Sequence, residues 1–224
     1  MRHELKYIID SADIPAIANK LSRIMNVDEH SDAGGGYRVR SVYFDDEYRR
    51  AYFDKVSGIY DRDKYRIRLY NDDGDNLFLE RKSKHGDATD KTSVKISRKL
   101  AKTLLSGDAT GIEMSNSQLV RQMYMEMTLH RLSPVVIVDY DRQAFAHPGG
   151  NTRVTIDRHV RSGLDNVDIF DKDILCVDAM DRSTAILEVK YDEMLPDFIA
   201  AAVSAFPAVR SALSKYIMCA RFVI

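Results

Sequence analysis

Apolar and polar residues alternate along several separate stretches of the chain, and the polar member of each pair is unusually often a cation. Lys64-Tyr65-Arg66-Ile67-Arg68-Leu69 is the clearest case. Glu80-Arg81-Lys82-Ser83-Lys84, Lys91-Thr92-Ser93-Val94-Lys95, Arg153-Val154-Thr155-Ile156-Asp157 and Leu187-Glu188-Val189-Lys190 repeat the theme. Strand side chains point to opposite faces in turn, so each stretch carries a charged row on one face and an apolar or mixed row on the other. A single charged row is the ordinary wet face of a half-buried antiparallel sheet. Several such rows, mostly cationic and far apart in sequence, suggest a closed sheet around a wet, cationic interior. Like charges facing each other across a hairpin are destabilising unless something neutralises them. Glu80 can do so for Arg66 and Arg68.

The same patterning sets out the remaining elements. Strands are predicted at 4–9, 37–45, 64–70, 77–84, 91–97, 135–145, 152–160 and 185–191, with a short one near Ile174. Helical spacing of Ile14, Ile17, Leu21, Ile24 and Met25 predicts a helix from Ser11, as its cap, to about Met25. Further helices are expected at 46–55, 98–105, 115–132, 196–206 and 211–221. Asn71-Asp72-Asp73-Gly74-Asp75 and His147-Pro148-Gly149-Gly150-Asn151 supply turns. Asp32-Ala33-Gly34-Gly35-Gly36 reads as a connection, since its glycines fall in no phosphate-binding fingerprint. Strands joined mostly as hairpins, with helices between them, suit an α+β fold. The expectation is an eight-stranded antiparallel β-barrel with peripheral helices and a C-terminal helical segment, all one domain over 1–224.

Composition narrows the chemistry. Thirty-three Lys and Arg face 34 Asp and Glu, a net charge of −1, so a cationic site must arise by segregation. A nucleic-acid binder normally carries a basic excess, and none is expected as a partner. Cys176 and Cys219 form neither a disulfide framework nor zinc spacing, and the six histidines form no metal spacing. No apolar run reaches the ~20 residues of a spanning helix. The N-terminus shows no apolar signal core. These features suit a cytoplasmic chain with no membrane segment; a membrane partner is not specified. No nucleophile elbow or Ser/Cys–His pairing is visible, which argues against covalent acyl chemistry. Arg and Lys on a concave wall suit phosphate, and carboxylates among them suit a divalent metal shared with phosphate oxygens.

Arg2-x-Glu4-x-Lys6-Tyr7, Ser41-Val42-Tyr43-Phe44-Asp45, Lys64 to Tyr70, Leu79-Glu80-Arg81-Lys82, Tyr140-x-Arg142-x-Ala144-Phe145, Arg153 to Asp157, Leu187 to Lys190 and Ser214-Lys215-Tyr216 follow one another in that order. In this the chain resembles the VTC-domain polyphosphate polymerases, a branch of the triphosphate tunnel metalloenzymes. The resemblance implies a tunnel that binds ATP and inorganic polyphosphate and moves the γ-phosphoryl of ATP onto the polymer, with Mn²⁺ or Mg²⁺. It implies phosphate contacts from Lys6, Arg66, Arg68, Lys82, Lys84, Lys91, Arg153, Lys190 and Lys215. Of these Lys6, Arg66, Arg68, Lys82 and Lys215 are the catalytic candidates; Lys84, Lys91, Arg153 and Lys190 are the substrate-binding ones. Lys215 belongs at the mouth of the tunnel on this reading. Glu188 is the implied metal ligand, with Glu4 and Glu80 beside it. Arg2 stands where the hydrolytic branch has a first glutamate, which favours the polymerase branch. Ser93 stands where many relatives carry a second basic residue. That departure keeps two alternatives open: a tripolyphosphatase or nucleoside triphosphatase on the same fold, and a non-catalytic polyphosphate-binding module.

Overall fold

The computed structural model describes every residue except 1, 29, 32–34, 87, 111, 113 and 114, with Ala88 described in its backbone only. Part of the expected 32–36 connection therefore lies outside the described residues. The chain divides into two compact units. The first holds residues 1–38, 140–160 and 178–214; the second holds 39–139, 161–177 and 215–224. Among the described residues there are eleven strands and six α-helices. The strands are β1 (Arg2–Asp10), β2 (Asn26–Val27), β3 (Tyr37–Asp45), β4 (Arg62–Tyr70), β5 (Leu77–His85), β6 (Ala88–Ile96), β7 (Ser133–His147), β8 (Thr152–Ser162), β9 (Val177–Asp178), β10 (Thr184–Asp192) and β11 (Val209–Arg210). The helices are α1 (Ile14–Ser22), α2 (Arg50–Val56), α3 (Arg98–Leu105), α4 (Gln118–His130), α5 (Asp197–Ser204) and α6 (Lys215–Ala220).

The strand order is β11-β1-β10-β8-β7 in the first unit and β7-β3-β4-β5-β6 in the second. Strands β3, β7 and β8 pass along the chain from one unit into the other. The α+β class stands, but the expected closed eight-stranded barrel does not. Among the described residues the sheet has eleven strands: nine run in order between ends at β11 and β6, and β2 and β9 pair off that path with β7 and β8. The extra members β2, β9 and β11 are only two residues long, too short for alternation to betray them.

Each unit has its own apolar core on one face of its strands. In the first, Ile9, Val154, Ile156, Ala185, Leu187 and Val189 pack with Ile14, Ile17 and Leu21 of α1 and Ile199, Ala202 and Val203 of α5. In the second, Val42, Phe44, Tyr65, Ile67, Leu69, Leu77 and Leu79 pack with Ala101 and Leu104 of α3 and Leu119, Val120, Met123 and Met127 of α4. Burying a Leu or Ile side chain of this kind is worth ~1.5–3 kcal/mol. The apolar partners of the charged rows thus fix which way those rows point.

Local chemistry sets the helix starts. Ser97 accepts a bond from the Leu100 N–H, and Ser117 accepts one from the Val120 N–H. The expected cap at Ser11 is a correction: Asp10 accepts from the Ala12 N–H at 2.8 Å, and the Ser11 hydroxyl donates to the Arg182 carbonyl. Residues 11–13 form a 3₁₀ turn, α1 begins at Ile14, and Asn26–Val27 leave the helix to pair with β7. The strand expected near Ile174 lies instead at Val177–Asp178. Helix 46–55 starts later, at Arg50, because Asp45 draws the preceding turn together. Its carboxylate accepts from the N–H groups of Asp46, Ala51 and Tyr52. The helix expected at 211–221 likewise begins only at Lys215.

Candidate functional site

The face of the second unit's strands that turns away from its core is cationic. Antiparallel register places Ser41 opposite Arg68 and Tyr43 opposite Arg66. Across the next two strands, Arg66, Glu80 and Ser93 form one row, Lys64, Lys82 and Lys91 the next, and Arg68, Phe78 and Lys95 another. Lys84 pairs with Arg62 and Thr89. Among the described residues of that face on β4–β6, Glu80 is the one carboxylate.

Glu80 is buried and ringed by cations. Arg66 Nη2 lies 2.6 Å from its Oε2, Lys91 Nζ 2.6 Å from its Oε1, and Arg68 Nη1 3.8 Å from its Oε2. Burial alone would raise its pKa; Arg66, Arg68 and Lys91 outweigh burial and hold the carboxyl far below the usual range. Lys91 is pushed down, first by burial and then by Arg66 and Arg68, while Glu80 pulls it up. Arg68 is itself buried, donates to Ser41 Oγ at 3.1 Å and lies 5.9 Å from the Tyr70 ring centroid. Lys82 is exposed and Lys84 half-buried on the same face.

Arg66 also donates to the Tyr43 hydroxyl at 2.7 Å. Burial works to raise the pKa of that phenol, but Arg66, Arg68 and Lys215 together bring it below the usual tyrosine value. Tyr43 stacks on Tyr216 of α6, with ring centroids 5.1 Å apart. The Tyr216 hydroxyl donates to Asp45 at 2.5 Å, and Lys64 Nζ sits 5.1 Å from the Tyr216 ring. Asp45 therefore anchors both the start of α2 and the start of α6, which is what brings Lys215 into the electrostatic reach of Tyr43.

The corresponding face of the first unit has a different pattern. Glu4 pairs with Lys190, which pairs with Arg153; Lys6 pairs with Glu188, which pairs with Thr155. Signs alternate along β1 and β10 and between them, while Lys190 faces the like-charged Arg153 on β8. Lys6 Nζ lies 2.7 Å from Glu4, 3.9 Å from Glu188 and donates to the Leu213 carbonyl at 3.1 Å. Lys190 contacts the other oxygen of Glu188. Burial pushes the Lys190 ammonium down to about 8; Glu188 and Glu4 oppose this and Arg142 adds to it. Arg142 forms a fork on Asp157, 2.6 Å and 2.8 Å, which raises its pKa well above the usual guanidinium value despite burial. Arg153 reaches Asp28 at 2.7 Å and the Tyr37 hydroxyl at 3.0 Å.

The structure thus groups Arg66, Arg68, Glu80 and Lys91, with Lys82, Lys84 and Lys215, in the second unit. Glu4, Lys6, Arg153, Glu188 and Lys190 belong to the first. Sequence reasoning left out Tyr43, Tyr216 and the carboxylates Asp28 and Asp157. Parity on β3 could have found Tyr43, because it shares a face with Ser41. Asp28 carries no such signal, since it lies just beyond the two-residue β2.

Among the described residues, no three His, Cys, Asp or Glu side chains gather as a metal site. Mg²⁺ typically needs only one or two protein carboxylates, the remaining oxygens coming from water and phosphate. Glu4 and Glu188, on adjacent strands with Lys6 between them and Lys190 on the other oxygen of Glu188, fit that demand when phosphate draws those lysines away. Glu80 fits it poorly, because a cation would enter against three positive neighbours.

No curated protein sequence matches the chain. A Bacillus halodurans structure provisionally named an adenylate cyclase is similar, with 12% identity, TM-score 0.50 and coverage of 90% of this chain and 85% of that one. Looser likenesses are the PH1819 protein of Pyrococcus horikoshii (14% identity, TM-score 0.41, covering 91% and 85%) and a chain of the Schizosaccharomyces pombe Mediator head module (13%, 0.48, covering 94% and 100%). Such identities speak to the fold alone. The VTC domain family matches residues 1–224, the whole sequence, in agreement with the ordered motifs from Arg2 to Tyr216. The chain belongs to the VTC domain family.

Proposed function

We propose that this protein is a metal-dependent polyphosphate polymerase that transfers the γ-phosphoryl of ATP to the end of a polyphosphate chain. The observation that carries the reading is the charge on the β4–β6 face. Three cations converge on one carboxylate, Glu80, and further lysines flank them in register. A polyanion supplies the charge that this face lacks. Phosphoryl transfer has little covalent work for a protein to do; it needs alignment and neutralisation of a loosely bonded transition state. Arg66 and Arg68 would grip the donor triphosphate with preformed guanidinium forks. Glu80 keeps those forks aligned before the ligand arrives. Lys82, Lys84 and Lys91 would extend the contact along the chain of phosphates, and Lys215 would hold the polymer beside Tyr43.

In the first unit, Lys6, Lys190 and Arg153 would take up further phosphates. Mn²⁺ or Mg²⁺, when bound by Glu188 and Glu4, would neutralise phosphate oxygens. The acceptor phosphate is already ionised at neutral pH, so no general base is needed. Ser93 faces Glu80 in register, and Lys91 reaches that carboxylate from the neighbouring row. The second basic charge of that strand is absent, and the contact of β6 with Glu80 is made by Lys91.

Incubation of the protein with ATP and Mn²⁺, followed by gel electrophoresis stained for polyphosphate, tests the reading. A ladder of products is expected. Free phosphate without a ladder would make water the acceptor and the protein a hydrolase. Unchanged ATP with measurable binding would make it a non-catalytic polyphosphate binder.

A further inference from the structure

Two aromatic residues, Tyr70 and Phe78, stand on the cationic face of β4–β6, among side chains that are otherwise charged or hydroxylated. Tyr70 ends β4 and shares its side of the strand with Arg66 and Arg68. Phe78 is paired with Arg68 on one side and with Lys95 on the other. Both rings are half-buried. Neither joins an apolar core; the core residues of these strands are Tyr65, Ile67, Leu69, Leu77 and Leu79. A phenyl ring in register between two cations is therefore not placed there to pack the core.

The two rings meet edge to face, their centroids 6.3 Å apart and their planes at 62°. In such a pair one ring keeps both of its faces clear of the other. Arg68 lies 5.9 Å from the Tyr70 centroid. Burial works to raise the Tyr70 phenol, but Arg68, by its charge and a hydrogen bond, brings it below the usual tyrosine value. The aromatic pair is thus joined to a guanidinium that already belongs to the phosphate-binding cluster. The turn beyond it is well fixed. The Asp73 N–H donates to the Tyr70 carbonyl at 2.9 Å, and Lys95 Nζ donates to Asn76 Oδ1 at 2.6 Å.

We propose that Tyr70 and Phe78 form the platform for the base of the nucleoside triphosphate, a purine ring stacking on the aromatic pair while the triphosphate runs onto Arg68 and Arg66. The proposal rests on the phosphate-binding role given to those arginines above. Arg66 and Tyr70 are separated by about 13 Å of strand, which leaves room for a ribose and phosphates between the base and the Arg66–Glu80 pair. Every base has a π-face, and stacking on an aromatic side chain adds attraction that a bare chain of phosphates cannot use. The pair therefore distinguishes the nucleotide donor from the polymer on a face that otherwise reads only phosphate.

Calorimetric titration of the full chain with ATP and with tripolyphosphate, both without metal, tests this. Phe78→Ala should weaken ATP about 5- to 150-fold and tripolyphosphate by no more than about twofold. Phe78→Leu keeps the apolar bulk and loses the π-face, so it should shift the ATP-to-tripolyphosphate ratio in the same direction even if the alanine variant folds poorly. The triphosphate of a fluorescent purine analogue whose emission is quenched by stacking should be quenched on binding to the parent. Binding without quenching would overturn the proposal, as would variants that lose ATP and tripolyphosphate equally or lose neither. A parent that binds tripolyphosphate but not ATP overturns the platform alone. A parent that binds neither removes the phosphate reading beneath it as well.

Discussion

The two units place charged strands over similar apolar cores, yet they arrange the charges in opposite ways. On β1 and β10 the signs alternate, Glu4 facing Lys190 and Lys6 facing Glu188, while β8 sets Arg153 beside Lys190 and Thr155 beside Glu188. On β4, β5 and β6 one row is three lysines, and Arg66 and Arg68 share a single carboxylate. A checkerboard is nearly neutral before any ligand binds. Its carboxylates can release their lysines and take a cation instead. A cationic face is under internal repulsion and is relieved only by an anion. Under the proposed function, the second unit would hold phosphate and the first would hold phosphate together with a metal.

The harshest test of that division is Glu188→Gln. The amide keeps the shape but loses the charge that would hold a divalent ion. Metal supplies several kcal/mol of charge stabilisation in such reactions, so polymer synthesis should fall by a factor on the order of 100 or more. Metal-free binding of tripolyphosphate, followed by calorimetry, should change little. Unaltered synthesis would remove Glu188 from the metal role and leave the checkerboard a structural feature.

Arg68→Ala probes the other half. A charge-assisted contact is worth ~1.5–3 kcal/mol, so tripolyphosphate should bind about 10- to 150-fold more weakly, with or without metal. If the loss appears only when metal is present, the second unit is not the principal phosphate holder and the comparison fails.

The cationic face was legible in the sequence because alternation fixes which residues share a side, and apolar partners such as Ile67 and Leu69 fix which side is buried. Both boundaries of β3 and of α3 follow from the pattern alone, helped at α3 by the Ser97 cap. Register was not legible. Sequence placed Glu80 among cations, but only pairing of β4, β5 and β6 shows Arg66 and Lys91 on its two oxygens. Register also sets Glu80 apart from Glu4, since three cations already surround it. Eight strands have readable alternation; the two-residue β11, which ends the order, and β2 and β9, which pair beside it, have none. Asp45 escaped notice because its partners are backbone N–H groups and a tyrosine from the far end of the chain, contacts that no local pattern encodes.

Glu80→Gln separates alignment from attraction. Removing the negative charge leaves Arg66, Arg68 and Lys91 without a counter-charge. Arg66 and Lys91 are partly exposed and can turn toward water, so the cost is the lower part of the range for a charged hydrogen-bonding group, about 1–3 kcal/mol of unfolding free energy. Tripolyphosphate should restore most of that loss, because it provides the missing charge. Denaturant melts with and without the ligand measure both quantities. A variant that is destabilised and not rescued would mean that Glu80 holds the strands together and that the cations around it do not await an anion.

The smallest effect is a pH dependence that distinguishes the units by which lysine titrates. Lys190 ionises at about 8 in the free protein, chiefly through burial, with Glu188 and Glu4 opposing and Arg142 assisting. Bound phosphate favours the ammonium and raises that value. Below pH 8 the lysine is charged in both states, so tripolyphosphate affinity should be flat. Above it, binding must take up a proton, and affinity should fall by up to about tenfold per pH unit until the pKa of the bound form is reached. Lys190→Arg keeps the charge throughout and should flatten the profile. Lys91, pushed down by burial, Arg66 and Arg68 against the pull of Glu80, is the comparison in the second unit, and Lys91→Arg should leave the fall near pH 8 in place. Calorimetric titration without metal, at several pH values above and below 8, gives the slopes. A fall removed by Lys91→Arg and kept in Lys190→Arg would reverse the assignment, making the cationic face the titrating one and the checkerboard the fixed one.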